Sequence, residues 1–108
     1  MAENRRIDYR KDVQVIVHFN LHGHEKVFQA FTRNISLSGL FIETEEDILE
    51  MIQKGESIVV MMEYKTNLFV KIKCYVIRVD MQKETFGFAI KYLELDENQQ
   101  EAIEQILT

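Results

Sequence analysis

The chain has 108 residues, 46% of them hydrophobic and 29% charged, which is the size and balance of one domain able to bury a core. Its net charge of −5 leaves no broad basic face for a nucleic acid polymer, and its longest uncharged apolar run, Ser57 to Met62, is far too short for membrane insertion. The charged N-terminus is unlike a signal sequence, so cytoplasmic residence is the default expectation, and the single cysteine, Cys74, excludes an internal disulfide.

Residues 1–11 read as an N-terminal arm, followed by one domain over 12–108. The arm carries Arg5-Arg6-Ile7-Asp8-Tyr9-Arg10, an Arg-Arg-x-x-x-Arg spacing, and residues 3–11 hold net +2, leaving −7 on the remainder of a chain that totals −5. The arm has few apolar side chains with which to hold itself down by burial, so an anion is the natural means of ordering it against the domain. Val13, Val15, Val17 and Phe19 alternate with polar residues, which predicts a half-buried strand over Asp12 to Phe19 with Ile16 as the exception. A turn over Asn20 to Glu25 returns the chain into a second strand at Val27 to Phe31.

Asn34-Ile35-Ser36-Leu37-Ser38-Gly39, an Asn-x-Ser-x-x-Gly pattern, then precedes a third strand at Leu40 to Ile42. Thr44 followed by Glu45, Glu46 and Asp47 predicts a capped short helix with Ile48, Leu49 and Ile52 on one face and Lys54-Gly55 as its stop, placed to plug a barrel end. Ile58 to Tyr64 supplies a fourth strand and Leu68 to Val79 a long fifth, with Val70, Ile72, Cys74 and Val76 on its inner face. Cys74 accordingly reads as a small buried hydrophobe. Phe86 to Tyr92 is the sixth strand. Asp96 caps a final helix whose Ala102, Ile103, Ile106 and Leu107 form an apolar stripe, and five acids from Glu94 to Glu104 face no Lys or Arg. Six strands with short connections predict a mostly β fold, an antiparallel barrel with a plug helix and a C-terminal helix.

Taken singly, the arginine spacing reads equally as a solvated arm, and the Asn/Ser/Gly spacing as an ordinary strand-ending turn. Their order around a hairpin changes that. Guanidinium groups present planar forks of donors that match phosphate oxygens and the O6/N7 edge of guanine. Asn34 offers an amide, Ser36 a hydroxyl, and Gly39 a backbone free to take positive φ and lie close to a ligand. The combination resembles the PilZ domain, the family of cyclic di-GMP receptors, from Arg5 to about Tyr92, with Val76 to Val79 and Phe86 to Ile90 resembling its closing strands. The family's second motif often begins with Asp; Asn34 keeps the acceptor oxygen without adding negative charge beside phosphates.

The resemblance implies a six-stranded PilZ-like barrel in which Arg6 and Arg10 clamp phosphate and guanine edges, Arg5 covers a second guanine, and Asn34, Ser36 and Gly39 line the barrel side. It implies cyclic di-GMP as ligand with no further cofactor, two ligands per chain because of Arg5, and an effector protein as partner. The alternative is a PilZ-fold protein interaction module that needs no nucleotide and docks through the C-terminal apolar stripe or an exposed strand. An enzyme is not expected, because no nucleophile–base set or carboxylate pair can be assembled. His22-Gly23-His24-Glu25 reads as a hairpin tip rather than a metal site.

Overall fold

The computed structural model describes residues 10–21, 25–82 and 84–108, which form seven strands and two helices. In chain order these are β1 (Arg10–Asp12), β2 (Ile16–Asn20), β3 (Val27–Ser36), β4 (Gly39–Glu43), α1 (Glu46–Leu49), β5 (Ser57–Lys65), β6 (Leu68–Asp80), β7 (Gly87–Tyr92) and α2 (Glu97–Leu107). All pairings are antiparallel. The order β1-β3-β2-β5-β6-β7-β4, with β3 also pairing β4, closes six strands into a barrel and leaves β1 as an extra strand laid on β3.

The alternation expected of β6 is observed: Ile72, Cys74 and Val76 are fully buried, facing Phe19, Val60, Met62, Phe88 and Ile90 in one continuous core. Burial without a charged partner pushes the Cys74 thiol up to about 12, so it stays protonated and packs as a hydrophobe. Phe19 stacks on Phe28 at 5.7 Å and meets Phe88 edge-on at 5.4 Å, joining the first hairpin to the closing strand.

The predicted strand Asp12 to Phe19 is broken into β1 and β2, and Arg10 and Lys11, read from the sequence as arm, are paired with Ser36 and Ile35. The break has a long-range cause in Thr32, which is buried on β3. Its hydroxyl donates to the Val13 carbonyl (2.7 Å) and accepts from the Val15 amide (2.9 Å), while its own amide donates to the Val15 carbonyl (3.0 Å). A side chain thus replaces one rung of the ladder. Thr32→Val, equal in shape but unable to bond, is expected to destabilise the fold by about 1–3 kcal/mol through the two backbone groups it orphans, read as a lower urea midpoint with an unchanged slope.

The first helix differs from expectation at its start. Glu45, rather than Thr44, is the N-cap, with no side-chain cap bond, and the Thr44 amide instead donates to the Phe86 carbonyl at 3.4 Å. The helix also ends early, at Leu49 with Glu50 as C-cap, short of the expected Lys54-Gly55 stop. Leu49 and Ile52 are nonetheless buried against the core, and Gly55 takes the left-handed conformation, φ +88°, in the turn that follows. In α2 the Asp96 carboxylate accepts from the Gln99 amide and the Gln99 side chain accepts from the Asp96 amide, both at 2.8 Å, a reciprocal capping box. Ala102, Ile103 and Ile106 are buried on the domain's own barrel, so this stripe is not a free docking surface. The Lys11 ammonium reaches the Ile106 carbonyl at 3.4 Å, bringing a cation to a helix C-terminus that has none of its own.

Candidate functional site

Five strands, β1, β3, β4, β7 and β6, lie side by side on one outer face of the barrel. Cross-strand register arranges their residues in rows. One runs Asp12, Asn34, Phe41, Ala89, Arg78; a second sets Arg10 against Ser36 and, past the turn, Gly39 against Lys91. Over these rows lies a cleft of about 290 Å³. Its lining includes four of the six residues singled out in the sequence, Arg10, Asn34, Ser36 and Gly39; the other two, Arg5 and Arg6, lie outside the described residues.

The outward position of Asn34 depends on an irregularity in β3. Thr32 pairs with Ile42 but Asn34 pairs with Phe41, so Arg33 is an extra residue, a β-bulge. Strict alternation from the buried Thr32 would turn Asn34 into the core; the bulge turns it out and sends Ile35 in, where it is fully buried. The same device recurs across the cleft. On β6, Val76 pairs with Ile90 and Arg78 with Ala89, making Ile77 the extra residue and placing Arg78 on the outer face.

Ser36 is positioned differently from expectation. It is 2% exposed, and its hydroxyl accepts from the amides of Ser38 and Gly39, each at 3.2 Å, while bonding the Gly39 carbonyl at 3.1 Å. It therefore shapes the turn that borders the cleft. Gly39 does not have the positive φ expected of it; among the described glycines only Gly55 does. The need for glycine is close approach, because a Cβ at position 39 would lie 2.1 Å from the Ile90 carbonyl oxygen of β7.

Sequence reasoning missed Phe41, Arg78 and Lys91, all of which line the cleft. Phe41 faces outward yet is only 5% exposed, with the Arg33 guanidinium 4.9 Å and the Arg78 guanidinium 5.8 Å from its ring centre. Arg33 is held by Glu43 at 2.8 Å and Arg78 by Asp80 at 3.4 Å. The ring lies over Gly87, where any Cβ would sit 2.4 Å from it. A signal for Arg78 was present: it occupies the phase of Val70, Ile72, Cys74 and Val76, and an arginine at a core phase marks a bulge just before it. Lys91 is the charged exception in the otherwise uncharged run Phe86 to Tyr92.

Three cations, Arg10, Arg78 and Lys91, and no carboxylate appear among the described lining residues. On a chain of net −5 this is a local anion-attracting patch with an aromatic floor, beside a turn whose own amides bond the Ser36 hydroxyl. Among the described residues no three His, Cys, Asp or Glu side chains are grouped to hold a metal ion, and no helix is long and apolar enough to cross a membrane. His22 and His24 lie outside the described residues.

The family model described as PilZ domain matches residues 4–108. No curated protein matches the chain. Among solved structures, the Bacillus subtilis inhibitor of motility (MotI/DgrA) superposes with TM-score 0.75 at 21% identity over 94% of this chain and 48% of that one. The PilZ domain of YcgR from Escherichia coli, solved with c-di-GMP, gives 0.70 at 10% identity over 95% and 88%, and the K. pneumonia MrkH–c-di-GMP complex 0.72 at 19% over 96% and 51%. The chain thus spans about half the length of MotI and MrkH and nearly all of the YcgR domain.

Proposed function

We propose that this chain, which belongs to the PilZ domain family, is a receptor for cyclic di-GMP that passes the binding event to a partner protein. The observation that carries the reading is the pairing of Arg10 with Ser36 across β1 and β3, which puts the two sequence motifs side by side over one cationic cleft. A cyclic dinucleotide has two phosphates and two guanines, and the cleft offers matching chemistry: Arg10, Arg78 and Lys91 for phosphate or guanine acceptor edges, and Asn34 for a guanine edge. YcgR and MrkH were solved with this nucleotide, which supports the assignment of the ligand.

Arg5 and Arg6 complete the proposal. Arg6 joins Arg10 as a clamp, and Arg5, a planar cation, stacks on a second nucleotide, so two ligands bind per chain. With Arg10 and Lys11 already paired to Ser36 and Ile35, phosphate draws Arg5 and Arg6 to the same nucleotide, and the partner reads a composite surface of arm, nucleotide and sheet.

Calorimetric titration with cyclic di-GMP, against GMP and cyclic GMP as controls, tests the reading. Saturable heat with the cyclic dinucleotide alone is the expected result, with two equivalents per chain and a ratio nearer one in Arg5→Leu. One equivalent in the wild type, at verified active concentration, rejects the stoichiometry. No heat and no thermal shift at saturating nucleotide rejects the receptor, leaving the fold as an interaction module independent of nucleotide.

A further inference from the structure

Tyr92, the last residue of β7, is 6% exposed and packs in the core opposite Cys74. It is also bonded twice to the turn that borders the cleft. Its amide donates to the Ser38 carbonyl at 2.9 Å, and its phenol donates to the buried Ser36 carbonyl at 3.2 Å. Those acceptors flank Leu37, which is 41% exposed and gives the turn little anchorage of its own. Ser36, Ser38 and Gly39 line the cleft and Tyr92 does not, so any effect of Tyr92 on a ligand is transmitted through the turn.

Resting on the receptor reading above, we infer that Tyr92 is a positioning residue for the nucleotide site, its hydroxyl pinning the Ser36–Gly39 turn in the shape that faces the ligand. A phenylalanine would fill the same core volume and leave the Ser36 carbonyl without the phenol. The expectation is local: the barrel persists, the turn loosens and the ligand must order it on binding.

The test uses the full chain and Tyr92→Phe. Calorimetry is expected to show cyclic di-GMP affinity reduced about three- to tenfold, the range of one neutral hydrogen bond, with the melting transition still cooperative. Amide exchange at Ser38 and Gly39, measured without nucleotide, is expected to quicken. In a double-mutant cycle the loss from Tyr92→Phe shrinks in a Ser36→Ala background, where the turn is already loosened, and persists in full in an Arg10→Ala background. Wild-type affinity together with unchanged exchange in Tyr92→Phe overturns the inference, as does an equal loss in both backgrounds. Loss of the cooperative melt overturns it too, because the phenol is then an element of the fold first. A wild-type chain that binds no cyclic di-GMP rejects instead the receptor reading, and the exchange rates of the free protein still decide whether Tyr92 holds the turn.

Discussion

Arg10→Ala is expected to weaken cyclic di-GMP binding by about ten- to 150-fold, the cost of about 1.5–3 kcal/mol for a lost charged hydrogen bond, with the unfolding midpoint nearly unchanged. The separation of the two effects follows from where Arg10 sits. Its side chain is exposed over the cleft on a three-residue strand that adds to the outside of a barrel already closed by the other six. Arg6→Ala is expected to cost a similar factor. Because the interaction is between exposed charges, the wild-type affinity is expected to fall as salt rises from 50 to 500 mM, and to fall less steeply in either variant. Titrations of the three proteins at two ionic strengths check this. Ser36→Ala should cost less than either arginine, since its hydroxyl acts on the turn; if it abolishes binding while both arginine variants bind normally, the roles assigned here are reversed.

Gly39→Ala is expected to lower stability by about 3 kcal/mol, the upper end of what overpacking costs, and to impair binding as well. The three atoms nearest an added methyl group, at 2.1, 3.1 and 3.2 Å, are all backbone atoms of Ile90 and Lys91, so relief requires β4 to part from β7 rather than a side chain to swing away. That seam sets Gly39 against Lys91 at the edge of the cleft. Gly55→Ala provides the contrast. Its added Cβ meets nothing within 4 Å, and only the left-handed φ of +88° opposes it. A cost of about 1–2 kcal/mol with unaltered ligand affinity is expected there. Urea titration and calorimetry on both variants separate the cases, and a Gly39→Ala protein of wild-type stability would mean that the two strands yield more readily than their backbones suggest.

Most of the barrel was legible because its strands obey local alternation: the inward set Val70, Ile72, Cys74, Val76 could be read directly, as could the Asp96 cap and the apolar stripe of α2. What escaped was decided at long range. Nothing between Asp12 and Phe19 announces a break whose cause is the hydroxyl of Thr32 on another strand. Gly39 was recognised as necessary for the wrong reason, since glycine's two uses, positive φ and close approach, look alike in one dimension. Four of the cleft-lining residues, Arg10, Asn34, Ser36 and Gly39, belong to the two short motifs that the sequence displays. Phe41, Arg78 and Lys91 come from three different strands and share no spacing; only the closed sheet makes them neighbours. The Ser36 hydroxyl, expected to line the barrel side for a ligand, turned out to be occupied by its own turn, a distinction of hydrogen-bond geometry that residue type does not carry.

The extra residues at Arg33 and Ile77 act on a strand as a frameshift acts on a message: everything downstream is read in the opposite sense, inside for outside. Keeping either residue but forcing strict alternation would deliver Asn34 or Arg78 to the hydrophobic interior and send Ile35 or Val79 toward water, whereas deleting it would straighten the strand and leave both faces as they are. A comparison that keeps barrel strands in constant phase will therefore set Arg78 against the core residue of an unbulged relative and miss that the two barrels differ in what they present outward. For barrels of this kind, counting residues between landmarks is as informative as identifying them.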